Sequence, residues 1–159
     1  MPANHYRFQE EWFVPAEAAE VYAVLADPGL LCEWWQGVYL ELTPLDGATG
    51  ARVGNRYQVV ARGFLPYRIR MILETAVLDR PRQVSVRMEG DLCGTWTATL
   101  HPVALGTRVE IVQECLAGKP LLRWFSPLLR PLFAWNHRWT TPRGEQGLTR
   151  YLERSAGGD

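Results

Sequence analysis

The chain has no surplus of charge of either sign, since 17 basic side chains balance 17 acidic ones. A protein that grips nucleic acid by its phosphates carries a basic excess or stripe, so a general nucleic-acid binder is excluded. No run of about 18 apolar residues occurs, which excludes a membrane-spanning helix. The opening MPANHYRFQEEW lacks the basic stretch and apolar core of a secretory signal, so the expected location is the cytoplasm. Cysteine is sparse. Cys32, Cys93 and Cys115 are odd in number and far apart, with no CxxC or Cys/His cluster, and are expected to be reduced, buried thiols. No metal and no cofactor are expected. No Ser or Cys has a visible base beside it, so nucleophilic catalysis is unsupported. Internal repeats and low-complexity tracts are also missing.

What is present is ordinary for a globular protein: 159 residues, 47% hydrophobic and 21% charged. That length suits one domain with a real core, expected over residues 1–154 with a flexible tail at 155–159. Seven tryptophans are many for this size. Trp34–Trp35 and Trp124, Trp135 and Trp139 form two clusters near expected helices.

Period-two alternation predicts strands through most of the chain. Residues 5–14 place Tyr6, Phe8, Glu10, Trp12 and Val14 on one face. Pro15 ends that strand and suits the start of a helix over 16–26, with Val21, Val24 and Leu25 as its apolar stripe. Asp27-Pro28 breaks this helix and starts a second short one through Trp34 and Trp35, closed by Gly37. Strands are then expected at 38–43, 56–62, 68–78, 83–89, 95–102 and 107–116, joined by short turns as in an antiparallel meander. On the strand from Arg68, the apolar set Ile69, Met71, Leu73, Thr75 and Val77 opposes Arg68, Arg70, Ile72, Glu74 and Ala76. A long helix follows from Leu121 to Leu152. Pro127 and Pro131 are expected to break its first half, and Pro142 to kink it or to begin a separate helix behind a Thr141 cap. Gly144 and Gly147 each cost about 1 kcal/mol in a helix. They make sense where the helix passes close to another surface.

Two segments, FVPAEAAEVYAVLADPGLLCEWWQGV and WNHRWTTPRGEQGLTRYL, together with the element order, resemble the helix-grip proteins of the START-like superfamily that includes polyketide cyclases/dehydrases. The resemblance implies an α+β fold: a curved antiparallel sheet of six to seven strands wrapped on a long C-terminal helix, with two short helices after the first strand. It also implies a hydrophobic small molecule or lipid held between sheet and helix. Some members cyclise or dehydrate polyketides, but no catalytic motif carries over to this chain.

Under that arrangement Val59, Met71, Leu73, Val86, Trp96 and Ile111 line the space from the sheet side. Glu10 and Gln113 are polar residues on apolar strand faces, and each needs a partner, a water or a ligand. The first and last strands are neighbours in the resembled fold, so these two can meet. His137 shares a helical face with Phe133, Thr140 or Thr141, Gly144, Leu148 and Leu152, and can act as a proton donor or acceptor or orient a carbonyl. Adjacent helical residues point about 100° apart, so one of Trp34 and Trp35 is expected to face inward at the rim. Three functions remain open. The first is binding of a hydrophobic small molecule. The second is acid–base catalysis in the same space by His137, Tyr57 and Glu10. The third is a membrane or protein contact, including a homodimer, through the apolar segment from Leu121 with its arginines.

Overall fold

Alternating side chains build one sheet from seven strands: β1 (His5–Val14), β2 (Tyr39–Leu45), β3 (Arg56–Arg62), β4 (Arg68–Asp79), β5 (Gln83–Gly90), β6 (Leu92–Val103) and β7 (Gly106–Ala117). The computed structural model describes residues 5–62, 68–117 and 126–157. Its side-chain description covers the same residues except 5–6, 115–117, 126–137, 139–140 and 156–157. The strand order is β1-β7-β6-β5-β4-β3-β2, antiparallel throughout. Between β1 and β2 lie α1 (Ala18–Leu25) and a 3-10 turn (Pro28–Leu30) that runs into α2 (Leu31–Trp34). The chain closes with α3 (Ser126–Gly157). This is the helix-grip architecture that the resemblance implied.

One face of the sheet carries the core. Trp12, Val14, Tyr57, Val59, Met71, Leu73, Val86, Leu100, Val109 and Ile111 all alternate onto it and are buried. The stripe Val21, Val24 and Leu25 of α1 packs into the same cluster. Asp27 starts the 3-10 turn by accepting the Gly29 N–H at 2.9 Å. Pro28 fits there because a residue in the first turn has no use for its missing N–H.

One strand expectation needs correction. On β4, Thr75 pairs with Val86 but Val77 pairs with Ser85, so Ala76 is an extra residue in a bulge. A bulge of one residue inverts the alternation. Val77 is therefore exposed, and Leu78 packs against the core in its place. A second bulge separates Tyr39 from Glu41 on β2, at the outer edge of the sheet.

The closing helix is also different from its reading. It is one element from Ser126 to Gly157, unbroken at Pro127, Pro131 or Pro142, and it takes in residues 155–157 of the expected tail. Pro127 sits in the first turn, where backbone donors have no intrahelical partner anyway. Pro142 is exposed, while Thr141, Gly144 and Leu148 around it are buried. Tertiary packing on both sides of a lost hydrogen bond holds the backbone helical there. The contacts of α3 are chiefly with β1 and α2.

Candidate functional site

Close approach of α3 to a tryptophan cluster defines the site. A Cβ built on Gly144 would lie 2.7 Å from both the Trp12 and Trp35 indoles, and one on Gly147 would run into the Trp34 carbonyl oxygen. The two glycines let the helix lie directly on the aromatic cluster, as their cost in a helix suggested. Trp12 meets Trp34 and Trp35 edge-on, with centroids 6.3 and 5.6 Å apart, while Trp34 and Trp35 stack at 5.1 Å. Tyr39 extends the group with a tilted contact to Trp35 at 5.4 Å.

Both Trp34 and Trp35 face inward, where one was expected. The 100° argument assumes two helical residues, and α2 ends at Trp34. Trp35 has left helical geometry, with φ −105° and ψ 57°, and its ring folds back over that of Trp34.

Behind this cluster is a hollow of about 40 Å³. Trp34, Trp35 and Tyr39 form one side, and Leu73, Val86 and Trp96 of the sheet form the other. It exceeds the roughly 15 Å³ that one water needs and is walled almost wholly by apolar groups. Five of the residues expected at a binding site, Trp34, Trp35, Leu73, Val86 and Trp96, come together here. Tyr57, Val59, Met71 and Ile111 belong to the buried sheet face and do not line this hollow. Sequence reasoning missed Leu31, Tyr39, Met88 and Asp27. The Asp27-Pro28 step marked a helix break, and no pattern in the sequence shows that the same carboxylate reaches the wall. A larger opening of about 590 Å³ lies outside, between α2 and α3, walled by Glu33, Gln36, Arg143, Gln146 and Arg150 among others. Its polar wall is that of a solvated groove.

Polar candidates gather elsewhere. Glu10 is on the inner face of β1 as read, half-buried, beside Arg138 and Glu145 of α3. Burial pushes its carboxyl above the ordinary range, Arg138 pulls it down, and Glu145 pushes it up again. Glu145 also accepts the Phe13 backbone N–H at 2.9 Å, which ties α3 to β1. Arg138, Thr141 and Glu145 recur at i, i+3 and i+7, a spacing that could have marked this face beforehand. Gln113 pairs with Phe8 across the ladder and Glu10 with Ile111, so Glu10 and Gln113 share a face as diagonal neighbours.

The raised carboxyl of Glu10 has a definite consequence for stability. The folded state keeps this proton to higher pH than the unfolded chain, whose carboxyl titrates near 4.5. Stability therefore falls as pH rises from that value through the folded pKa. Glu10→Gln is expected to be more stable than the parent at pH 7, by at most about 1 kcal/mol because the group is half exposed. That gap should close toward pH 4.5. Urea unfolding of both proteins from pH 4 to 7.5 measures it, and a gap independent of pH would refute the assignment.

Tyr57 is buried, and its hydroxyl lies 3.4 Å from the Gly50 carbonyl it donates to, with Asn55 at 3.5 Å. Four strands stand between β3 and β1 in the sheet, so Tyr57 and Glu10 are not on neighbouring strands. Thr141 is buried on the α3 face toward β1. The side chains of His137, Phe133, Cys115 and the apolar segment 121–135, read as a membrane or dimer contact, lie outside the described residues. Cys32 and Cys93 are free and half-buried, and burial pushes the Cys32 thiol up. Among the described residues no group of three His, Cys, Asp or Glu side chains could hold a metal ion, and no helix is long and apolar enough to cross a membrane.

Residues 5–147 match the family model for polyketide cyclase / dehydrase and lipid transport. No curated protein matches the chain. Among solved structures, TTHA0849 from Thermus thermophilus is similar with a TM-score of 0.79 at 22% identity, over 95% of this chain and 99% of that one. Ara h 8.0201 is similar with a TM-score of 0.67 at 12% identity, over 93% and 97% of the two chains. Truncated norcoclaurine synthase from Thalictrum flavum is similar with a TM-score of 0.62 at 15% identity, over 93% of each chain. At these identities the likeness is one of fold.

Proposed function

The chain belongs to the polyketide cyclase/dehydrase and lipid-transport family, and from that premise we propose that it binds a hydrophobic small molecule between the sheet and α3. The observation that supports this reading is the apolar hollow between the Trp34–Trp35–Tyr39 group and Leu73, Val86 and Trp96. Aromatic rings of this kind offer flat, stiff apolar surface to a ring-bearing ligand. Pockets that enclose a whole small molecule run to about 300 Å³ or more. A hollow of about 40 Å³ takes the leading end of one. Glu10, Gln113 and Thr141 lie on β1, β7 and α3, outside the described wall of this hollow.

Native mass spectrometry of the freshly purified protein tests the proposal. A bound mass that survives native conditions and leaves on denaturation is the expected result. Titration with 1-anilinonaphthalene-8-sulfonate, which brightens in apolar sites, gives a second measure. A bare protein mass together with no brightening by the folded protein would sink the reading.

A further inference from the structure

The polar groove between α2 and α3 is lined by three exposed arginines of α3, Arg143, Arg150 and Arg154. They recur at i, i+7 and i+11. At 100° per residue these positions fall within about 40° of one another, so they form one row about 16 Å long. The described wall holds a single carboxylate, Glu33 of α2, beside Gln36 and Gln146. Past Arg154 the groove continues into an opening of about 390 Å³ that shares Glu33 and Gln36. A helix face turned to water ordinarily mixes both signs of charge, which pair at i, i+3 or i, i+4. This face does not. Arg150 and Arg154 are four residues apart and repel one another, and neither has an ion-pair partner among the described residues. The acids of this part of α3 are placed elsewhere. Glu145 accepts the Phe13 N–H of β1, and Glu153 is not in the groove wall. Arg154 is in the last turn of α3, where the helix dipole favours a cation in any case. Arg143 and Arg150 lie too far from that end for the dipole to account for them.

We propose that this groove is an anion site, and that the arginine row holds an elongated ligand with phosphate groups along its length. A terminal phosphate carries nearly two charges and three accepting oxygens, which a guanidinium fork takes in pairs. Charge of that strength is needed to offset Glu33 in the same wall. Length matters as well. A compact anion meets Arg150 and Arg154, about 6 Å apart along the axis, and leaves Arg143 about 10 Å further up. A chain of phosphates reaches all three. The inference does not depend on what fills the apolar hollow.

The probes are sodium tripolyphosphate and inorganic phosphate, titrated calorimetrically at low salt, where exposed charges are least screened. Tripolyphosphate is expected to bind with a Kd below about 1 mM, and inorganic phosphate about tenfold more weakly or worse. Arg150→Gln is expected to weaken tripolyphosphate about fivefold or more, and Arg143→Gln about threefold or more. Arg52→Gln, an exposed arginine on the loop before β3, is expected to change it less than about 1.5-fold. All three side chains are exposed, so the variants are expected to fold. In the parent protein labelled with ¹⁵N-arginine, the Nε–H resonances of Arg150 and Arg154 are expected to move with tripolyphosphate and that of Arg52 to stay. No binding of tripolyphosphate, equal weakening by Arg52→Gln, or inorganic phosphate bound as tightly as the chain would overturn the inference. Flotation with phosphatidylglycerol vesicles that Arg150→Gln abolishes, in a protein that ignores tripolyphosphate, would overturn it in favour of a membrane contact. Each of these results leaves the hydrophobic-ligand reading standing.

Discussion

Gly147→Ala is expected to destabilise the protein by about 3 kcal/mol, although alanine is favoured over glycine inside a helix by about 1 kcal/mol. The reason is what the new methyl group meets. It would collide with the Trp34 carbonyl oxygen and lie 3.1 Å from the carbonyl carbon. That obstacle is backbone at the end of α2, where the Trp35 N–H bonds the Leu31 carbonyl and the two indoles stack. It cannot swing aside as a flexible side chain would. Either α3 lifts off the cluster or α2 shifts against the sheet, and both open packed apolar surface. Urea unfolding followed by circular dichroism measures the loss. Gly47 offers a contrast, since it lies in an exposed turn with nothing near its Cβ. Its φ of 71° makes any side chain there costly for a different reason, backbone strain, with no effect on helix seating. A Gly147→Ala protein as stable as the parent would show that α3 does not sit where the glycines place it.

Trp12→Ala is expected to cost about 4 kcal/mol, in the range for emptying a large aromatic site in a core. Trp12 is 2% exposed and joins three elements at once. Its strand pairs it with Val109 of β7, its ring edge meets Trp34 and Trp35, and Gly144 of α3 lies against it. Alanine would leave all three contacts facing a void, and the surrounding sheet is too constrained to collapse into it. Trp12→Phe makes the sharper measurement. The Trp12 Nε1–H is buried with no acceptor among the described residues, so phenylalanine removes an unmet donor along with part of the ring. The loss is expected to be about 1–2 kcal/mol, no more than half that of alanine. Chemical denaturation separates the two, and equal losses would mean that the indole makes a polar contact after all.

Much of the fold was legible because its signals are local. Alternation along seven strands and short turns between them require an antiparallel sheet, and Asp27-Pro28 marks a helix start whatever surrounds it. The errors arise where the deciding interaction is distant in sequence. Val77 carries the correct type for an inward position, and only the pairing with β5 inserts Ala76 and turns Leu78 inward instead. Pro131 and Pro142 are local helix breakers. The helix persists through Pro142 because Thr141, Gly144 and Leu148 are held against β1 and the tryptophans. Trp35 could not be placed because its direction depends on a single backbone torsion after α2. At the site, alternation points Leu73, Val86 and Trp96 toward the hollow, but it also points Tyr57, Val59, Met71 and Ile111 inward, which do not line it. The polar ends were harder, since Glu10 lies on the expected face but answers to Arg138 and Glu145, at the far end of the chain.

The outer strand of the sheet bears on how the protein meets other copies of itself. An unpaired strand edge is a template to which any extended segment can add, and long, flat, apolar edges invite such growth. β2 is short, irregular between Tyr39 and Glu41, and carries Glu41 and Pro44 exposed along it. The bulge turns its hydrogen-bonding groups out of line, the carboxylate resists burial, and the proline removes a donor. That edge is a poor template for growth of the sheet into a second molecule.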